Sequence, residues 1–267
     1  MGGVVGALMC LFCRSGCQGS VVASALAFHP PEPQYSIHFD EDSQTYKITF
    51  VDTAIRELPN LKVDILSPKR NTKVSVLIFT NPGAKYTILY SHGNATDCGA
   101  MLPLYAMLAA YLKVNVIGYD YTGYGPSMDD GYTPTEKQTY KDILTVYNYC
   151  IEQKIIKDPS KELILYGQSV GSGPSCYLAS KKPIAGIVLH SPILSGLRVM
   201  TNSRSLACFD IFPNINRIKR IQVPLFVIHG KDDVEVGLHH GTGLLAAAPE
   251  NCRYEPWWVL GRGHNDV

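Results

Sequence analysis

The sequence predicts an α/β fold: a mostly parallel, twisted sheet with helices on both faces. Three observations carry that expectation. From Tyr86 onward, short apolar runs alternate with helical stretches, as in parallel strands joined by crossover helices. The run Leu163 to Gln168, behind the turn signal Asp158-Pro159-Ser160, reads as a buried parallel strand. It passes through Gly167-Gln168-Ser169-Val170-Gly171 into a helical stretch reaching Lys182. Finally, chemically capable residues follow six strand-like runs: His92-Gly93-Asn94, Asp120, Ser169, His190-Ser191-Pro192, His229 to Asp233, and Gly261 to His264. Open parallel sheets bind ligands beyond the carboxyl ends of their strands. Six such placements on one rim point to a site rather than to scatter.

The 267 residues suffice for one large α/β domain or two small ones. At 46% hydrophobic and 18% charged, the chain has enough apolar content for a core. A formal charge of +1, with no basic run or stripe, argues against a nucleic-acid partner. Of the eight cysteines, Cys98, Cys150, Cys176, Cys208 and Cys252 are scattered singly and read as buried thiols. A disulfide framework belongs to small secreted chains, so a reducing compartment is expected.

Met1 to Phe28 is apolar, but its runs Val4–Phe12 and Val21–Phe28 are too short to cross a bilayer, which takes about 20 apolar residues. It lacks the basic start of a signal peptide. Cys10, Cys13 and Cys17 are spaced so that in a helix they would share one face, a pattern open to S-palmitoylation. Several acyl chains would give stable anchoring. A buried helix with core cysteines is the alternative. A zinc site lacks a fourth ligand at usual spacing, and no metal or cofactor is expected anywhere in the chain. Residues 29–44 then read as a Pro-rich linker and 45–267 as the globular domain. His29-Pro30-Pro31-Glu32-Pro33 is stiff and extended.

Within the domain, Thr45–Phe50 alternates and Val74–Thr80 is β-branched; together they predict a leading antiparallel pair. Asn81 to Ala84 is a turn. Tyr86–Tyr90 predicts a strand, Leu102–Leu112 a helix, Val114–Tyr119 a strand, and Pro134–Ile156 a helix with proline in its first turn. After the central strand and its helix come a strand at Ala185–Leu189, a short helical excursion ending at Ile215–Ile221, and strands at Leu225–Ile228 and Trp257–Leu260.

A strand, a sharp turn and a helix around Gly-x-Ser-x-Gly form a nucleophile elbow. Glycines at 167 and 171 leave room for a strained serine. A serine hydroxyl needs a base, and the base an orienting carboxylate. In this architecture they follow in the order Ser, Asp, His. That order selects Ser169, then Asp233 or its neighbour Asp232 (Asp233 being preferred), then His264. His190 and His229 precede the acid and read as loop braces, while His239 and His240 open a helix. Oxyanion donors are expected at the backbone N–H of Val170 and at that of Asn94 or Ala95, after the strand Tyr86–Tyr90. Asp120 to Ser127 reads as a structural turn.

These residues, in this order, resemble the α/β-hydrolase superfamily. Several blocks resemble more closely the alpha/beta hydrolase domain-containing protein 17 family of membrane-associated depalmitoylases. They are Phe28-His29-Pro30-Pro31-Glu32-Pro33, Tyr90-Ser91-His92-Gly93-Asn94-Ala95, Tyr119 to Gly125, Leu165-Tyr166-Gly167-Gln168-Ser169, Leu189-His190-Ser191-Pro192, Cys208 to Asn214, and Gly263-His264-Asn265-Asp266. The cysteine cluster ahead of the Pro-Pro-Glu-Pro stretch resembles the family's palmitoylated N-terminus.

The resemblance implies an α/β-hydrolase fold with a short cap and a palmitoyl-protein thioesterase activity without cofactor. It implies S-acylated membrane proteins as substrates, and a lipid anchor at the cytoplasmic face of membranes such as the plasma membrane or endosomes. The family continues past the catalytic histidine with a helix that packs on the sheet. This chain stops at Val267, so open apolar sheet surface and a looser His264 loop are expected. A serine esterase or lipase acting on small lipids, and an inactive module binding acylated partners, are the competing readings.

Overall fold

The computed structural model describes residues 24, 27–52, 58, 60–70, 72–200 and 210–267. Cys10, Cys13, Cys17 and Cys208 lie outside them. An eight-stranded sheet organises the domain. Its members are β3 (Leu61–Leu66), β4 (Val74–Phe79), β5 (Thr87–Ser91), β6 (Asn115–Tyr119), β7 (Leu163–Gln168), β8 (Gly186–His190), β9 (Leu225–Gly230) and β10 (Trp257–Val259). They lie in the order β10-β9-β8-β7-β5-β6-β4-β3, and only β4 runs against the rest. Among the described residues, four longer helices accompany them: α1 (Leu102–Leu112), α2 (Glu136–Glu152), α3 (Ser172–Ala179) and α4 (His239–Ala247).

Alternation along the strands builds two cores, because successive side chains point to opposite faces. Val74, Val76, Ile78, Leu163, Leu165, Ile187, Leu189, Leu225 and Val227 pack on one face with Ile143, Val146, Cys176 and Leu244 from α2, α3 and α4. Leu77, Phe79, Ile88, Tyr90 and Val116 pack on the other with Leu102, Tyr105 and Ala109 of α1. Beyond α1 on this second face, Ile164, Tyr166, Val188, Phe226 and Ile228 are only half-buried, and Trp257 is exposed. This part of the second face is less covered than the part beneath α1. The short cap between β8 and β9 includes a helical turn at Gly196–Met200 and another at Asn214–Arg217. Cys98, Cys150, Cys176 and Cys252 are buried free thiols, and burial pushes Cys150 and Cys176 up to about 12.

The expected leading pair is corrected. Thr45–Phe50 is β2, and it pairs instead with β1 (Tyr35–Asp40) in a separate two-stranded sheet, Tyr35 opposite Phe50. Val74–Phe79 pairs with β3 and β6. The Pro-rich linker accordingly gives way to regular structure at Tyr35, within the 29–44 segment. β1 escaped the sequence reading because Ser36, His38 and Asp40 dilute its apolar signal beside three prolines. β3 carries a clear period of two, with Leu61, Val63 and Ile65 against Lys62 and Asp64.

Tight packing at the centre fixes the position of the elbow. A methyl group on Gly171 would sit on the backbone carbonyl of Ser91, at the end of β5. Neither backbone segment can yield without breaking the β5–β7 pairing, in which Ser91 lies opposite Gly167. Gly171→Ala is expected to cost about 3 kcal/mol, a fall of roughly 6–12 °C in Tm for a domain this size. Thermal melting checks this; a Tm within a degree of wild type would contradict the close approach.

Candidate active site

Ser169 leaves the end of β7 with a backbone φ of 51°, a conformation that non-glycine residues rarely adopt. A Cβ on Gly167 would lie 2.8 Å from the carbonyl oxygen of Gly171, so the turn closes only with glycine there. One turn of 3-10 helix, Ser169–Gly171, leads into α3. The result is a half-buried serine standing at the rim of the sheet.

The other two predicted members reach it from separate loops. His264 Nε2 lies 2.9 Å from Ser169 Oγ. His264 Nδ1 lies 2.7 Å from Asp233 Oδ2. The remaining oxygen of Asp233 accepts from the backbone N–H groups of Glu235 at 3.0 Å and Val236 at 2.8 Å. Asp233 and His264 are both buried, whereas Asp232 is exposed on the turn. The structure thus brings Asp233, not Asp232, to the imidazole. Pairing of β9 with β10 aligns the two loops, and two further bonds join them. Lys231 N–H donates to Val259 O at 2.8 Å, and Asp232 N–H to Arg262 O at 3.0 Å.

His229 braces this acid loop, in line with the sequence reading. Its Nε2 is 2.7 Å from Val236 O and 3.2 Å from Asp233 Oδ2. His190 Nδ1 lies 3.1 Å from Tyr166 Oη. Among the described residues, no group of three or more His, Cys, Asp or Glu side chains is placed to hold a metal ion.

The expected oxyanion segments also meet. Val170 follows the serine and is buried. Gly171 abuts the carbonyls of Ser91 and His92, and a Cβ on Gly93 would lie 3.9 Å from the side chain of Gln168. Asn94 and Ala95 form the turn that follows. Tyr121 Oη donates to His92 O at 2.7 Å. His92 Nδ1 is 2.7 Å from Gly93 O, and its Nε2 is 3.1 Å from the buried Asp120. Asp120 also accepts from Tyr35 Oη, from Ser75 Oγ at 3.2 Å and from Cys98 N–H at 2.9 Å. It is structural, as the sequence suggests. The role of the Asn94 side chain escaped the sequence reading. Its Oδ1 accepts from Tyr124 Oη at 2.7 Å and from His29 N–H at 2.8 Å. No local spacing signals donors that lie 30 and 65 residues away.

Comparison with known proteins places the chain among hydrolases of this fold. The sequence profile of the family described as serine aminopeptidase, S33 matches residues 82–209. Alpha/beta hydrolase domain-containing protein 17B of Homo sapiens is 38% identical over 269 residues, 97% of this chain and 90% of that protein. Alpha/beta hydrolase domain-containing protein aho-3 of Caenorhabditis elegans is also 38% identical, over 97% of this chain and 77% of that one. Among solved structures, an esterase of Pyrococcus furiosus superposes with a TM-score of 0.61 at 19% identity, covering 79% of this chain and 87% of its own. A puromycin-hydrolyzing peptidase of Mycobacterium tuberculosis gives 0.61 at 16% identity, covering 83% and 40%. The last two are likenesses of fold.

Burial shapes the titration of the histidines around the site. It pushes His190 down to about 4, helped by the nearby His264 and His229. It also pushes His240 down to about 4, helped by His239, and His240 Nδ1 must stay unprotonated to accept from Leu194 N–H at 2.9 Å. Both are neutral in the folded chain where an unfolded histidine, with a pKa of about 6.5, would charge. Their contribution to stability is therefore complete above pH about 6.5 and is lost as pH falls toward 4, unfolding taking up a proton at each. NMR titration of the imidazole resonances checks this: both are expected to titrate near 4, and midpoints near 6.5 would refute it.

Proposed function

This chain belongs to the alpha/beta hydrolase domain-containing protein 17 family of serine hydrolases, and from that membership we propose that it cleaves the thioester of S-palmitoylated proteins. The observation that supports it is the unbroken relay from Ser169 Oγ through His264, 2.9 Å away, to Asp233, 2.7 Å beyond. In the proposed reaction, His264 Nε2 takes the hydroxyl proton as Ser169 Oγ attacks the thioester carbonyl carbon. Asp233 holds the imidazole in the tautomer that leaves Nε2 free and stabilises the imidazolium. The carbonyl oxygen gains the negative charge and is met by the backbone N–H of Val170 and that of Asn94 or Ala95. Collapse breaks the carbon–sulfur bond, and His264 returns the proton to the departing cysteine sulfur. Water, deprotonated by His264, then attacks the acyl-serine, releasing the fatty acid and restoring Ser169.

The proposed setting is the cytoplasmic face of a membrane, with Cys10, Cys13 and Cys17 acylated and S-acylated membrane proteins as substrates. Among the described residues no helix is long and apolar enough to cross a bilayer. A three-cysteine anchor supplies the two or more acyl signals that stable attachment requires.

A fluorophosphonate probe is expected to label the wild type and not Ser169→Ala. Ser169→Ala should lower thioester turnover by a factor on the order of 10⁴ or more, and Asp233→Asn by about 10⁴. An S-palmitoyl peptide is expected to turn over faster than a monoacylglycerol; the reverse order would transfer the assignment to a small-lipid esterase. Changing Cys10, Cys13 and Cys17 together to Ser should move the protein to the soluble fraction, and unchanged membrane partition would refute the anchor.

A further inference from the structure

The chain between the cysteine-bearing N-terminus and β1 is laced onto the oxyanion loop. Two bonds do this, and a third fixes the far end of the segment beside the loop after β6. His29 N–H donates to Asn94 Oδ1 at 2.8 Å, Gln34 N–H donates to Asp97 Oδ2 at 2.7 Å, and Tyr35 Oη donates to Asp120 beneath them. The other oxygen of Asp97 accepts from Ala100 N–H at 2.8 Å, which ties the strap to the turn leading into α1. Phe28 seats the strap's near end. It is buried, edge-on to Tyr124 at 6.4 Å and to Phe212 at 5.9 Å. Tyr124, fully buried, packs in turn against His92 at 5.5 Å. Its hydroxyl is the second donor to Asn94 Oδ1.

An amide oxygen has two lone pairs, and here both are filled, one from the loop after β6 and one from the strap. A side chain on a half-exposed turn thereby loses its freedom to rotate, and its own backbone is held in place. Oxyanion donors act only if they are fixed before the charge develops. A displacement of about 1 Å can cost on the order of 10²-fold in rate.

We propose that Asn94 is a positioning residue, its side-chain oxygen clamped by Tyr124 and by the His29 backbone so that the 27–35 strap holds the oxyanion loop in its working geometry. The role rests on the serine-hydrolase reading above. Asn94 acts here through its backbone and its neighbour's, not by touching the substrate with its side chain.

The test compares the full-length wild type with Tyr124→Phe, Asn94→Ala and the double variant. Fluorogenic S-acyl peptide supplies kcat and KM, and an alkyl trifluoromethyl ketone reports oxyanion affinity. Tyr124→Phe removes one hydroxyl and keeps the buried ring, so it is expected to fold even if Asn94→Ala does not. Expected is a kcat lower by about 10-fold in Tyr124→Phe and up to about 10²-fold in Asn94→Ala, with KM within about 2-fold. Ketone affinity should fall by the same factor as kcat/KM, and the pH profile of kcat/KM should not move, because the triad is untouched. The double variant should be no worse than Asn94→Ala alone, as residues acting through one another are non-additive. Unchanged kcat with only a lower Tm, or an additive double variant, would overturn the positioning role while leaving the hydrolase intact. Wild type that the fluorophosphonate probe does not label would overturn both.

Discussion

The backbone of Ser169 is the constraint on which the rest of the molecule depends. A left-handed residue between β7 and α3 is tolerated only where its surroundings over-determine it. Here they do so from two directions. Below, Gly167 lies against the carbonyl of Gly171 and the start of α3; alongside, Gly171 lies against the carbonyls at the end of β5. The pairing of Ser91 with Gly167 locks the two strands at that level. Because β5 and β7 are central in the sheet, relieving the serine's strain would require disrupting the buried pair Ser91 and Gly167.

That geometry decides which neighbours can serve the nucleophile. The loops after β9 and β10 reach it from one side with the acid and the base, and the loop after β5 reaches it from the other. Asp233 is held with all its capacity in use: two backbone N–H groups on one oxygen, two imidazoles on the other. A carboxylate so bound cannot swing, which fixes the plane of the His264 ring. His229, whose pKa burial lowers, ties Asp233 back to the Val236 carbonyl. It supports the acid without competing for the serine.

Much of this was legible in the sequence because parallel sheets write their sites at strand ends. The runs ending at Ser91, Tyr119, Gln168, His190, Gly230 and Val259 are apolar enough to be read one by one. Their common direction then places His92, Ser169, Asp233 and His264 on one rim. Strand pairing outside that pattern was not legible. β1 is polar on one face and follows a proline run, so nothing local distinguishes it from the tail before it. Nothing local in β2 separates β1 from β4 as its partner. The choice between Asp232 and Asp233 was likewise open, since both sit in one turn and only the pairing of β9 with β10 shows which carboxylate faces the imidazole.

The two sides of the site are stabilised by different means, and the difference has consequences for its rigidity. The acid and base side relies on backbone bonds between two loops beside a three-residue edge strand, with Trp257 exposed. Each such bond contributes only about 0.5–1.5 kcal/mol net, and an edge lacks a further strand to share the load. The oxyanion side is joined to the interior: Phe28, Tyr124 and Phe212 form part of the main core, and their strap and loop reach Asn94. Local opening follows the distribution of buried apolar contacts. The acid is backed by the core through Val236, whereas the loop leading to His264 is exposed at Leu260, Gly261 and Arg262 before the imidazole itself is buried. The nucleophile elbow and the oxyanion loop are thus built into the core, while the base is carried on the loop that follows the sheet's edge strand.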